Sequence, residues 1–468
     1  MRLRIVPLIV AASFLMQQLD TAIITTSLPQ MALSFGVAPE RLSVGVSAYV
    51  LSLAIFVPLA GWLADRFGAR TVFAGAIVVF TTASLVCGLA DDLASFTLAR
   101  AAQGVGGALM TPVGRIVVLR STSNEQLLKT TALITWPGLI APVAGPVLGG
   151  LITSTIGWRW NFLLNLGPGV IGFILALLYV PGGRSAEPRP LDWVGFVLSA
   201  MGLSGLVCGL EGFGHGGEAR LAWAGVALAG GASGLAAVLH FRRCAHPLLD
   251  LATLRIASFV TTSVGSGTVF RVAVAATHFL LPLLFQVAFG LSPLEAGGLV
   301  LIYFAGNLAA KPATSPLLRR WGFRRVLIVN GVANALAIGA LALLTPMTFR
   351  PLLWGLLFVA GLVRSLQFTA LTTLAFADVP EPRRGSAATL MSMFSQIGIC
   401  IGVSAAAVLL DSARSLQGAP ALQLVDFQVA FGVMGVIALG AVAGFARLDP
   451  DAGCAISGAQ RPGDRAAA

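Results

Sequence analysis

Asp20 sits inside an apolar run from Ile5 to Leu28. A carboxylate in hydrocarbon is costly and by default marks a functional site. The chemistry it offers is reversible proton binding. Of nineteen acids, every other one falls in a predicted loop, helix end or tail, from Glu40, Asp65 and Asp91 through Glu211, Glu295 and Asp411 to Asp464. Asp20 is therefore expected to be almost the sole candidate for carrying a proton on a carboxylate. Arg100 falls in a later apolar run, about two turns below its outer end, where it needs a partner or water. Asp20 is expected at similar depth, close enough for Arg100 to govern its protonation. Gln103, Gly104, Gly107 and Thr111 continue the Arg100 face. A helix-packing carboxylate and a structural arginine stay open as alternatives.

The second half of the chain supplies intramembrane cations and no intramembrane acid: Arg271, Lys311 and Arg364. Tyr303, Asn307 and Lys311 recur every four residues and share one helical face. His278 lies two turns from Arg271, and Gln367 one turn from Arg364. Together with Gln17, Gln103 and Trp136, the residues Arg271, His278, Tyr303, Asn307, Arg364 and Gln367 are expected to line a substrate cavity. Helix–helix hydrogen bonding is the alternative, as is snorkelling for Lys311. One acid against several cations favours neutral or anionic amphipathic cargo over dications. Phe14, Met16, Trp136, Phe270 and Phe368 offer an adaptable apolar lining, or ordinary packing.

The elements that hold these residues follow from composition. Of 468 residues, 57% are hydrophobic and 10% charged, with mean hydropathy +0.88. Soluble chains carry about 25% charged residues, so the solvent must be lipid and a soluble enzyme is excluded. Apolar stretches of about 20 residues recur roughly fourteen times. The basic residues collect in alternate connections, with Arg66 and Arg70, Arg242 and Arg243, Arg319 to Arg325, and Arg383 and Arg384 on one side. That side is expected to be cytoplasmic, with both termini there. The net charge of +11 is thus a topology signal, and no nucleic-acid partner is expected. Five scattered cysteines (Cys87, Cys208, Cys244, Cys400, Cys454) have no CxxC or other ligand spacing, so no metal site is expected. The chain has no GxxxxGK[ST] loop, so no nucleotide site drives it.

A weak repeat links Gly61–Arg70 to Ser315–Arg325, short basic turns pivoting on Gly68 and Gly322. It divides the chain into six-helix halves, 1–180 and 251–447, with a linker and two extra helices over 181–250 and a disordered tail over 448–468. Repeated halves are transporter architecture. Gly61, Asp65, Arg66, Gly68 and Arg70 make a tight basic turn. Gly138, Pro142, Gly145, Pro146, Gly149 and Gly150 make a bent helix that a neighbour can approach closely.

These stretches resemble the fourteen-helix drug:proton antiporter branch of the major facilitator superfamily. Leu19 to Pro29 is similar to its first-helix signature, 61–70 to its loop between helices two and three, and Leu98 to Ala108 to its fourth-helix signature. Gly138 to Gly150 is similar to its antiporter helix, and Trp158 to Phe162 adds to the match. Ala22 and Thr25 stand where the family usually has Thr and Asn. The resemblance implies an all-α membrane protein with the major-facilitator fold: two six-helix bundles plus two linker helices. It implies proton-driven export of amphipathic small molecules by alternating access, coupled through Asp20 and gated at 61–70. It implies a monomer in an inner membrane, no cofactor, and protons and lipid as partners. A periplasmic adaptor and an outer-membrane channel stay open. So do a proton symporter for uptake of a nutrient or organic acid, and a non-transporting membrane sensor or scaffold.

Overall fold

The computed structural model describes residues 2–121, 127–184, 190–215 and 219–453. All regular elements among them are helical. Lipid offers backbone groups no hydrogen bonds, so each segment must satisfy its own, and a helix does.

The chain packs as two compact units: Met1–Leu248 with Leu291–Gly298, and Leu249–Gly290 with Leu299–Ala468. In the first unit the helices are α1 (Arg2–Ile23), α2 (Leu28–Phe35), α3 (Ser43–Phe56), α4 (Leu59–Phe67), α5 (Ala69–Leu89), α6 (Leu93–Ser121) and α7 (Leu127–Thr155). They are followed by α8 (Trp160–Leu163), α9 (Leu166–Tyr179), α10 (Trp193–His215) and α11 (Arg220–Arg243). The second unit holds α12 (Ala257–Phe259), α13 (Ser266–Leu283), most of α14 (Pro293–Ala309), α15 (Lys311–Leu341), α16 (Arg350–Ala377), α17 (Arg384–Gln417) and α18 (Leu424–Phe445).

Among the described residues, eleven spans are long and apolar enough to cross a membrane, and the bent pair α3–α4 makes twelve. The 59° bend falls at Pro58, which has no N–H to continue the ladder. Two more of the fourteen expected crossings fall outside that criterion. α6 carries Arg100, Gln103 and Arg115, and α14 has only 17 residues. α15 breaks at Gly322, with φ 74° and ψ 164°, at the turn expected between the tenth and eleventh crossings.

Both pivots of the sequence repeat are left-handed, Gly68 at φ 90° and Gly322 at φ 74°. A side chain there would clash with its own backbone. A Cβ on Gly68 would also stand 2.9 Å from the Gly183 carbonyl. The extra pair, α10 and α11, pack together, and α10 packs against α3, so both join the first unit. Gly205 and Gly230 let α10 and α11 meet backbone to backbone, a Cβ on Gly205 falling 2.7 Å from the Gly230 Cα. Pro188 and Arg189 of the linker lie outside the described residues.

The tail expectation needs correction at its start. Leu448 and Ala452 pack on the core of the second unit with Phe323, Leu327, Leu374 and Phe445. Order therefore reaches residue 453, because apolar side chains follow α18. Residues 454–468 lie outside the described residues.

Candidate functional site

α6 is the post around which the first unit is built. A Cβ on Gly104 would collide with the Tyr49 carbonyl of α3, and one on Gly106 would stand 2.7 Å from the Phe80 nitrogen of α5. Glycines at these places let α3 and α5 close on α6. α1 packs against α6, α7 and α9. These approaches deliver Asp20, Ser84, Arg100, Gln103 and Asn165 to one spot.

The Arg100 Nη1 donates to Asp20 Oδ2 at 2.7 Å and also to Gln103 Oε1. Gln103 Nε2 donates to Asp20 Oδ1 at 2.8 Å and to Ser84 Oγ at 2.6 Å. Asn165 Nδ2 donates to Asp20 Oδ1 at 2.8 Å and to Ser84 Oγ at 3.1 Å. The Arg100 guanidinium lies 4.2 Å from the Tyr49 ring centroid. Both charged side chains are 1% exposed. Three donors and no acceptor face the carboxyl group, an arrangement fitted to its deprotonated form. One turn away, Thr111 Oγ1 donates to Gln17 Oε1 at 2.8 Å.

The expected neighbours Asp20, Arg100 and Gln103 therefore meet directly. Ser84, Tyr49 and Asn165 were not legible as members. Asn165 lies 145 residues from Asp20, and only its place as an amide in an apolar run marks it. One expectation needs correcting. Glu211 is buried at 6% exposure in α10, accepting from Ser47 Oγ of α3 at 2.7 Å. It lies inside the candidate span that ends at Gly212, so Asp20 is not alone among membrane-embedded acids. A run of apolar residues with its acid near the end looks like a helix terminus until the neighbouring helix is in view.

The proline-containing helix α7 meets α1 just past Asp20. A Cβ on Gly145 would collide with Ala22, and one on Gly149 would lie 2.5 Å from the Ile23 carbonyl. Gly150 is closed by the Pro293 carbonyl, whereas Gly138 has open space. Pro137, Pro142 and Pro146 all lie within α7. Trp136, expected in the cavity, is 57% exposed. In the 61–70 turn, Gly61 and Arg66 are exposed while Asp65 and Arg70 are half-buried.

In the second unit, Arg271 is 3% exposed and donates Nη1 to the Thr262 carbonyl at 3.0 Å. His278 Nδ1 faces the Val274 carbonyl at 2.6 Å. Its ring stands 5.4 Å from both the Tyr303 and Phe304 rings. The Arg364 guanidinium lies over the same two rings, at 5.8 and 5.5 Å. Lys311 Nζ donates to Thr369 Oγ1 at 3.0 Å, and Asn307 is half-buried. Gln367, expected to line the cavity, is fully buried. It accepts from Asn330 Nδ2 at 2.9 Å and donates to the Leu327 carbonyl at 3.1 Å. Its amide joins α15 to α16.

Cys244 gains neighbours that its sequence spacing hides. Its sulfur, Asp192 and His240 offer ligand atoms within 4.8 Å of one another. Asp192 is already engaged, accepting from Gly195 N at 2.8 Å, Leu248 N at 3.2 Å and His240 Nε2 at 2.8 Å. It ties the start of α10 to the end of α11. Burial pushes its carboxyl up, but these hydrogen bonds outweigh it and hold the group below the usual carboxylate range.

The sequence profile described as Major Facilitator Superfamily matches residues 10–403 and 264–460. The chain is 38% identical over 407 residues to a putative multidrug resistance protein MdtD of Shigella sonnei (strain Ss046), covering 86% of this chain and 85% of that one. It is 37% identical over the same span to the protein of that name from Shigella flexneri. Its fold is similar to an autoinhibited POT family peptide transporter, with TM-score 0.70, 15% identity, and 95% and 97% of the two chains covered. It is also similar to the human organic anion transporter MFSD10 (TETRAN), with TM-score 0.60, 15% identity, and 95% and 99% covered.

Proposed function

Since the chain belongs to the Major Facilitator Superfamily and spans the membrane many times, we propose that it is a proton-coupled exporter of amphipathic, drug-like small molecules. The observation that carries this reading is the Asp20–Arg100 pair, sealed at 1% exposure between α1 and α6. The multidrug-resistance name borne by the MdtD relatives supports export.

The proposed coupling follows from the hydrogen bonds. Deprotonated Asp20 binds Arg100 and Gln103 of α6 and Asn165 before α9. A proton on the carboxyl group cancels its charge and replaces an acceptor with a donor. Arg100 then loses its counter-charge, and α1 loses the tie that fixes it to α6 and α9. Because α7 packs on α1 through Gly145 and Gly149, that release reaches α7. In this reading the hydrogen bonds around Asp20 are those of its deprotonated carboxyl group. Proton exchange takes place in a second conformation that admits water to Asp20. The outward-open state loads the proton; the inward-open state releases it and takes cargo. The protein acts in an inner membrane with its Arg-rich turns and both termini cytoplasmic, and the proton gradient replaces any cofactor.

A purely structural ion pair is the second reading, favoured by the same burial. Proteoliposomes separate the two. The coupling reading requires proton movement on adding cargo, lost in Asp20→Asn; drug-driven proton flux that survives the substitution leaves only the structural pair. Counterflow in everted vesicles separates export from symport.

A further inference from the structure

Among the described residues, three clusters stand apart from the Asp20 network: Glu211 with Ser47, Asp192 with His240 and Cys244 at the ends of α10 and α11, and the cations of the second unit. The last carries furthest. We propose that Arg364, His278, Tyr303 and Phe304 form a binding site for the carboxylate of an aromatic or otherwise apolar organic acid. This rests on the transport reading and names its cargo class.

The backbone builds the cluster. Gly306 on α14 has no room for a Cβ beside the Phe358 carbonyl of α16, and Gly361 on α16 has none beside the Tyr303 carbonyl. The two helices therefore touch along their main chains, which sets Arg364, one turn past Gly361, against Tyr303 and Phe304. The guanidinium lies over both rings, at 5.8 and 5.5 Å. Its Nε and Nη1 are buried and make no hydrogen bond. The His278 Nε2 is likewise buried and unbonded. The Nδ1–H tautomer that donates to Val274 leaves Nε2 as a bare acceptor. Arg271, on the same helix as His278, also keeps Nε and Nη2 without partners.

No acid of the second unit answers these charges among the described residues. Asp378 caps the end of α16, Asp426 opens α18, and Asp411 pairs with Arg414 in the last two turns of α17. Arg364 is half-buried with Nε and Nη1 out of reach of water, and a guanidinium so placed without a counter-charge is unfavourable unless something brings one. A carboxylate presents two oxygens to the Arg fork, bidentate and planar. The rings beside it suit an apolar or aromatic body. A hydroxyl or N–H next to the carboxylate would satisfy His278 Nε2. A permanent dication finds no acid here.

The test measures binding to purified protein in nanodiscs of purely zwitterionic lipid. The probes are an aromatic hydroxycarboxylate such as salicylate with an apolar substituent, its methyl ester, and a lipophilic quaternary ammonium. The carboxylate is expected to bind wild type about tenfold or more tighter than the ester. Arg364→Gln should remove that preference while the ester still binds, which shows that the variant is folded. Arg364→Lys should keep part of it. Tighter binding of the quaternary ammonium than of the carboxylate overturns the proposal, as does a preference unchanged in Arg364→Gln. A phosphatidylglycerol headgroup that displaces nothing supports cargo as the occupant; anionic lipid that occupies the site while the carboxylate fails to bind overturns it. Asp20→Asn is read by cargo-driven proton flux and not by this binding measurement. Its loss of proton flux alone bears on coupling, so the two readings fail separately.

Discussion

Asp20→Asn is the sharpest perturbation, because the structure states what it removes. The substitution keeps the shape of the side chain and exchanges one carboxylate oxygen for an NH2. Arg100, with its side chain 1% exposed, keeps only neutral acceptors, Gln103 Oε1 and the new amide oxygen, and its charge is uncompensated. Breaking a buried pair in this way costs about 3–5 kcal/mol, a large part of a total stability of about 5–15 kcal/mol. Transport measurements must therefore be scaled to folded protein, read by a thermal-unfolding midpoint. The functional loss is separate and can be sized. One proton crossing 100 mV supplies about 2.3 kcal/mol, enough to hold a roughly 50-fold gradient of neutral cargo. In proteoliposomes with an imposed proton gradient, wild type should concentrate cargo toward that limit. Asp20→Asn should equilibrate it to about onefold and show no proton movement when cargo is added. An accumulation ratio and a cargo-driven pH change equal to wild type, at matched folded protein, would refute the coupling argument.

Glu211→Gln keeps the hydrogen bond from Ser47 and should leave cargo-driven proton flux intact; its loss there would move the coupling site to α10. Gly149→Ala pushes a methyl against the Ile23 carbonyl, 2.5 Å away, and should cost about 1–3 kcal/mol in unfolding midpoint while slowing transport. Gly138→Ala, in open space, should change neither. The Asp192 carboxyl is held below its ordinary range, so its stabilising effect is complete above the unfolded value of about 3.9. It is lost as pH falls through the lower folded value. Unfolding midpoints of wild type and Asp192→Asn should therefore differ most at neutral pH and converge below about pH 4.

What lay in the sequence was what depends on one segment at a time. Apolar length against a lipid solvent set the helices. Arginine placement marked the turns, and the two glycine pivots, Gly68 and Gly322, were visible because no other residue accepts a positive φ cheaply. Asp20 and Arg100 were conspicuous because a charge in hydrocarbon is unfavourable wherever its partner lies. The partners themselves belong to tertiary structure. Ser84 and Asn165 reach Asp20 only because Gly104 and Gly106 let α3 and α5 close on α6 and α9 folds back on α1. The same polar faces gave opposite outcomes in the second unit. Gln367 was consumed by Asn330 and Leu327, while Arg364, one turn away, kept its donors. Periodicity assigns a residue to a face of its helix; which neighbour covers that face is decided by backbones that meet from distant parts of the chain.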